Sequence, residues 1–387
     1  MIRTYKYRIY PNKTQKKILN NIFDFQCTLY NQALHQRNTA YQESKTSLSY
    51  VDQWDYFKES RKTIFPQVNA TSMQQLLRRL DKSFKAFFRR VKNGEKPGFP
   101  RSKHPDRFHS IEFKPKDGCQ IKEIENKNKL FITHVGPVRI KWHRDFPEQS
   151  VLKHIVVSRK HSKWFICLQI EIPDSINVSG GSQIGIDLGI SHLITTSDGE
   201  HIDSPKHYVN GQKRLRVLQR SVSRKKRGSK NRQKAVRLLG KHHEYISNCR
   251  DDFLHKTTRH LVDNYGPIVM EDLSLGFMLK NRHLAKHASD VAMGKFTSFL
   301  EYKAEEAGVQ VIKVDPKYTS QECSECGKRV KKTLSERVHN CPHCDLEIDR
   351  DHNAAKNILK RGASLLESLT CHISECVGSQ AHGFSRG

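Results

Sequence analysis

Four cysteines near the end of the chain carry its clearest chemical spacing. Cys323 and Cys326 form one C-x2-C pair, and Cys341 and Cys344 form a second after 14 intervening residues. Each such turn can direct two thiolates at one ion, and two turns make a tetrahedral four-sulfur site with no open position. That chemistry suits a structural Zn2+ rather than a catalytic one. His339 and His343 are alternative ligands, but the symmetric spacing favours the four cysteines. Cys371 and Cys376 lack the turn spacing and read as plain thiols.

Three acids stand at similar places in their local sequence. Asp187 lies in the hydrophobic run Ile184 to Leu188, Glu271 ends the run Pro267 to Met270, and Asp351 sits just ahead of the helix-like stretch Asn353 to Ile358. A carboxylate on a buried strand is costly without a partner or a metal. Three converging acids can hold two divalent cations that activate water and stabilise the leaving oxygen in phosphodiester hydrolysis. Oxygen ligands and phosphate substrates favour Mg2+ or Mn2+. Singly, Asp187 reads equally as a turn acid, Glu271 as a surface acid, and Asp351 as a helix N-terminal acid favoured by the dipole. Asp272 and Asp349 are near-neighbour decoys.

The elements that position these groups are strongly basic. The 387 residues hold 68 Lys+Arg against 40 Asp+Glu, a net charge of +28, which points to a polyanionic partner such as nucleic acid. A helix over about 70–92 has an apolar stripe of Met73, Leu77, Leu80, Phe84, Phe87 and Val91. Its other face carries Arg78, Arg79, Lys82, Lys85 and Arg89, candidates for phosphate contact. Residues 213–241 hold 13 Lys/Arg and no acid, with Leu215, Leu218 and Val222 on one helical face. Arg224, Lys225, Lys226 and Arg227 lead into Gly228-Ser229, the expected turn of a helical hairpin. No apolar run reaches membrane-spanning length, and the start lacks a signal-peptide core, so a reducing cytoplasm is expected.

Around these pieces, Tyr5, Tyr7 and Ile9 alternate with polar residues as a first strand, ended by Pro11 and a capping Asn12. Ile18, Ile22, Phe25, Leu29 and Ala33 mark a helix. Ile111 with Phe113, Val138 with Ile140, Ile155 to Val157, and Trp164 to Ile166 read as antiparallel strands, the last two joined by a hairpin at 159–163. Val178 to Ser182 reads as a linker and main boundary. A helix is expected from His242 to Asn264.

The ordered motifs Y-K-Y-R-I-Y-P, G-I-D-L-G-I, R-x-x-S-R-K-K-x-G-S, V-M-E-D-L, T-S-Q-x-C-S-x-C-G, C-P-x-C and D-R-D-H-N-A-A-K-N-I resemble the TnpB (OrfB) family, which is encoded by insertion sequences and related to compact type V CRISPR effectors. The match runs from residue 2 to about 360. The resemblance implies an α/β chain with an RNase H-like RuvC nuclease domain (179–318 and 346–363) interrupted by a zinc ribbon (319–345). It further implies a β-barrel-like wedge domain (1–12 and 97–178) with an inserted helical recognition domain (13–96). A flexible tail is expected over 364–387. By motif, the nuclease acids are Asp187, Glu271 and Asp351, since the family acid stands directly before x-N-A-A. The implied activity is RNA-guided cleavage of double-stranded DNA bearing a short adjacent motif, with a guide RNA from the transposon end and a separate transposase from the same element. The rivals are a non-cleaving regulator that binds RNA or DNA, and a strand-joining transposase or its accessory.

Overall fold

Alternation of Tyr5, Tyr7 and Ile9 with charged residues produces β1 (Ile2–Tyr10), which turns those three inward. β1 pairs along its length with β7 (Lys163–Glu171) and at its end with β5 (Gly136–Lys141). With β2 (Ser110–Pro115), β3 (Gly118–Ile124), β4 (Lys127–Ile132) and β6 (Val151–Lys160), these strands close a seven-stranded barrel in the order β1-β5-β4-β3-β2-β6-β7. Closure gives every strand two neighbours, although β2 and β3 join over only two residue pairs. β3 and β4 escaped the sequence reading because their inward residues are few: Cys119, Leu130 and Ile132 are the deeply buried ones.

The computed structural model describes residues 1–64, 66–173, 181–273, 290–333 and 336–380. They fall into two units, Met1–Asp174 and Ser175–Gly387. The expected linker at 178–182 lies mostly outside the described residues. In the first unit, three helices separate β1 from β2: α1 (Lys13–Ser44), α2 (Tyr50–Ile64) and α3 (Ala70–Lys92). Asn12 and Gln15 form a reciprocal capping box at the start of α1. Ile18 and Phe25, expected on its buried stripe, are only partly buried, while Leu19 and Phe23 take the core positions. α2 was not anticipated from its polar composition. α3 spans the expected residues, but its stripe is buried only as far as Phe84, and Val91 is exposed.

The second unit is built on a five-stranded sheet in the order β10-β9-β8-β11-β12. Its strands are β8 (Ser182–Asp187), β9 (Ile194–Thr196), β10 (His201–Ile202), β11 (Tyr265–Glu271) and β12 (Val311–Val314). β8, β11 and β12 run parallel, while β9 and β10 add antiparallel strands at one edge. The basic segment forms the expected hairpin of α4 (His207–Ser223) and α5 (Lys230–Asn264). Gly228 supplies a left-handed turn residue (φ 81°), Ser229 caps α5, and Arg232 donates to the carbonyls of Val222 and Lys225 across the turn. From Lys230 the second half of the basic run and the stretch 242–264 are one continuous helix, because nothing breaks helical geometry where the charge run stops.

After α6 (Met293–Ala307), the four-cysteine segment includes the two-stranded β13 (Val338–Asn340) and β14 (Glu347–Asp349), which leads directly into α7 (Arg350–Gln380). The expected tail from 364 carries helical backbone as far as Gln380, and Cys371 and Cys376 fall on this helix. No helix among the described residues is long and apolar enough to cross a membrane.

Candidate active site

Asp187 and Glu271 are the last residues of two adjacent parallel strands. The register Ile184↔Ile268, Gly185↔Val269, Ile186↔Met270 places them side by side one residue further on. Carboxyl ends of parallel strands are where open α/β sheets present ligand sites. Glu271 is buried and Asp272 exposed, which separates the candidate from its decoy.

Asp351 reaches this edge because α7 lies unusually close to the sheet. A methyl group on Gly185 would overlap the carbonyl oxygen of Ala355 and press on Leu359, and one on Gly362 would overlap Val269. Two glycines, one on the strand and one on the helix, therefore permit the approach. Asp351 lies one helical turn before Ala355, level with the end of β8. Asp349 instead accepts from the amides of Asp351 and His352, both at 2.9 Å, and caps the helix. We expect Gly185→Ala to push α7 away, destabilise the chain by about 1–3 kcal/mol, and weaken divalent-metal binding. Thermal melting with and without Mg2+ measures both effects, and an unchanged melt would contradict the packing.

Asp187 feels the other two carboxyls. Burial pushes the Asp187 carboxyl up to about 8, and the neighbouring Glu271 and Asp351 carboxylates push the same way, with Arg350 opposing. Burial also raises Glu271, against the Thr319 hydroxyl, which donates to its Oε1, and Arg361. Asp351 accepts from Arg350 at 2.9 and 3.0 Å, with Arg337 3.8 Å from its second oxygen. The chemistry of this donor set, all hard carboxylate oxygens with Glu271 buried and Asp187 and Asp351 half-buried, fits Mg2+ or Mn2+. A carboxyl raised by burial and by two neighbouring carboxylates, as Asp187 is, suits a place beside a cation, although the three acids do not converge as tightly as the four cysteines.

A stability consequence follows. With a folded value of about 8 against about 4 unfolded, Asp187 keeps its proton while the unfolded chain releases it. Its contribution therefore destabilises the metal-free protein progressively as pH rises from about 4 to about 8. Without added Mg2+, Asp187→Asn is expected to match the parent near pH 4 and to melt several degrees higher above pH 8. Adding Mg2+ reverses the order, because only the parent gains ligand stabilisation. Identical pH dependence of the two proteins would count against the gathered acids.

The four cysteines converge: their sulfur atoms all lie within 4.8 Å of one another, the only such ligand group among the described residues. The Cys323–Cys344 and Cys326–Cys341 sulfurs are 3.5 and 3.6 Å apart. A tetrahedral ion with ~2.3 Å bonds to sulfur has edges of about 3.8 Å, so the thiols fit such an ion. The two turns are built alike. Gly327 and Asp345, each following the second cysteine of its pair, take left-handed φ values of 72° and 57° and donate to the carbonyls of Cys323 and Cys341. His339 is buried and His343 exposed, and neither belongs to the converging group.

Residues that sequence reasoning missed tie this knuckle to the acids. Asn353 and Asn357, buried on α7, both donate to the Glu322 carbonyl. Asn353 also accepts from the Ser324 amide, and Asn357 donates to the Thr319 carbonyl. Arg361, two turns along, bonds the carbonyls of Asp315 and Lys317 and the Glu322 carboxylate. The four-residue spacing of Asn353, Asn357 and Arg361 was a readable signal of one helix face.

The basic candidates divide by environment. Arg78 and Arg79 are partly buried over the rings of Tyr50 and Phe108, and Arg79 donates to Ser110. Lys85 pairs with Asp81, whereas Lys82 and Arg89 are exposed. In the second unit Arg224, Lys226 and Arg227 are exposed, and Lys225 donates to Ser221. Arg216 and Arg220, not singled out before, share a helix face with Arg224 and line a groove of about 290 Å³.

Comparison with known proteins adds independent findings. Residues 165–282 match the OrfB_IS605 family, described as "Probable transposase", and residues 294–358 match a Cas12f1-like TNB domain. Residues 1–46 match a model described as a helix-turn-helix domain, yet they fold here as one strand and a single long helix. A Streptomyces pristinaespiralis protein named "Putative RNA-guided DNA endonuclease" is 35% identical over 370 residues, covering 93% of this chain and 89% of its own. Cas12f1 of Sulfoacidibacillus thermotolerans, named a CRISPR-associated endodeoxyribonuclease, is 26% identical over 82% of this chain and 83% of its own. A solved Cas12f1–sgRNA–target DNA complex shares the fold, with TM-score 0.63 at 15% identity over 92% of this chain and 98% of that one.

Proposed function

Given that the chain belongs to the TnpB (OrfB) family, we propose that it is an RNA-guided DNA endonuclease. The observation that carries this reading is the placement of Asp187 and Glu271 at adjacent strand ends with Asp351 brought alongside by α7. In this reading the second unit is an RNase H-like RuvC domain, the cysteine segment is its zinc ribbon, and the barrel is a wedge domain carrying the helices α1 to α3 as a recognition insert. Asp187, Glu271 and Asp351 would hold two Mg2+ or Mn2+ ions, and Cys323, Cys326, Cys341 and Cys344 one Zn2+. When bound, the hard cations supply a water nucleophile at neutral pH and stabilise the leaving oxygen.

The chain's own residues do the rest. The strand ends fix two carboxylates by backbone pairing, and the Thr319 hydroxyl orients Glu271. Exposed cations on α3 and on the α4–α5 hairpin would hold a heteroduplex by its phosphates, leaving sequence reading to base pairing. The partners are then a guide RNA from the transposon end and double-stranded DNA with an adjacent motif, in the cytoplasm, with a separate transposase encoded by the same element.

The test is a plasmid-cleavage assay with the co-purified RNA sequenced and its complement placed in the plasmid. Mg2+-dependent cutting at that complement supports the reading. Binding without cutting would make the protein a regulator, and joined products from this protein alone would make it a transposase.

A further inference from the structure

The exposed end of the α3 stripe is part of a cleft. Phe84, Phe87, Phe88 and Phe99 meet edge-to-face or tilted with centroids 5.2 to 6.4 Å apart. Together with α1 and the turn after it, they line a cavity of about 410 Å³, a size suited to a small planar ligand. Phe88 and Phe99 are 56% and 49% exposed, and Tyr41 on the opposite wall is 58% exposed. A single exposed aromatic is ordinary, but three around one cleft leave a large ring area open to solvent.

The polar groups indicate what fills it. Asn38, Gln42, Thr46 and Ser47 line the cleft with amide and hydroxyl groups, and no acid lines it among the described residues. Lys45 lies over the Tyr41 ring at 5.2 Å. On α3, Lys85 and Lys92 stand about one turn before and after Phe88, so an exposed ring is bracketed by cations. Asp81 is shared between Arg37 and Lys85 and neutralises only half of that pair. Aromatic faces, hydrogen-bonding amides and a cationic rim together match a nucleotide: base on ring, base edge on amide, phosphate on lysine. A neighbouring groove that shares Leu48 carries Glu43 and Glu59 instead and lacks this complementarity.

We propose that this cleft binds one unpaired nucleotide of RNA, its base stacked among Phe88, Phe99 and Tyr41. RNA is favoured because a loop nucleotide is already unpaired, whereas extruding a base from duplex DNA costs a few kcal/mol. The proposal rests on the RNA-guided reading for its biological setting, but its chemistry requires neither the metal nor cleavage.

The test uses the full zinc-loaded chain without added Mg2+, with a short single-stranded RNA carrying 2-aminopurine. Phe88→Ala and Phe99→Ala are each expected to weaken binding at least about five-fold and to remove the quenching of the probe. The salt dependence stays unchanged, because no cation is lost. Phe88→Trp retains both affinity and quenching, and duplex RNA binds all variants alike. Because Phe88→Trp keeps a stacking face, it decides the matter if an alanine variant proves unstable: weaker binding than the parent overturns the proposal. Four other results also overturn it: unchanged single-strand affinity in both alanine variants, equal losses on duplex and single strand, tighter binding of single-stranded DNA than of RNA, or a change in oligomeric mass that assigns the cleft to a second copy. Plasmid cleavage is scored separately, so failure here leaves the endonuclease reading to stand or fall on its own assay.

Discussion

Asp187→Ala is expected to lower DNA cleavage by roughly a thousand-fold or more, and Glu271→Ala and Asp351→Ala to do the same. The losses should not multiply. Groups that together hold a cation pair act as a unit, so a double variant is expected to be no slower than the worst single one. RNA binding should change by no more than about two-fold, because none of the three acids lies on the basic helices. The neighbouring acids sharpen the test. Asp272 is exposed beyond the end of β11, and Asp272→Ala should cut like the parent. Asp349 caps α7 through two amides, so Asp349→Ala should cost about 0.5–2 kcal/mol while retaining most cleavage near room temperature. Plasmid nicking and linearisation at fixed Mg2+ measure all five variants. Normal cutting by any of the three principal variants, or its loss in Asp272→Ala, would falsify the assignment.

Apart from the family motifs, the acids were legible only as separate local contexts, two at hydrophobic runs and one ahead of a helix, because register and helix docking are tertiary facts. Alternation made β1 readable, and Asn12 announced α1, while its reciprocal partner Gln15 went unread. β3 and β4 were hidden because closing a barrel needs only a few inward residues when neighbouring strands supply the rest of the core. α2 was hidden for a related reason: it packs with few apolar side chains, Trp54 and Phe57 among them. The role of Gly185 could not be inferred from G-I-D-L-G, since a glycine in a strand signals a close approach without naming what approaches. The reading of α3 erred in the opposite direction. Helical periodicity marked Phe87 and Val91 as core, but the pattern records only which face is apolar and not whether anything covers it.

The cysteines matter through the same tertiary links, and their removal has the second large expected effect. The parent is expected to carry about one tightly bound zinc per chain, and Cys323→Ser to lose it. Without the ion, the two left-handed turns at Gly327 and Asp345 lose the constraint that brings their thiols together. The loop 319–324 then loses its shape, and with it the carbonyls that receive Asn353 and Asn357 and the hydroxyl that holds Glu271. Cleavage should fall at least about ten-fold, as for loss of a supporting shell around metal-binding carboxylates, although no acid has been altered. Asn357→Ala separates metal from linkage. It keeps all four thiols, so zinc content should remain at the parent level, but it takes the donor from the buried Thr319 carbonyl and leaves Glu322 to Asn353 alone, at a cost of about 1–3 kcal/mol, and should lower cleavage in the same direction. Elemental analysis, thermal melting and plasmid cleavage on the same preparations distinguish the cases. A zinc-free Cys323→Ser protein that melts and cuts like the parent would show that the knuckle is dispensable. An Asn357→Ala protein with full zinc and full activity would show that the knuckle reaches the acids by some route other than α7.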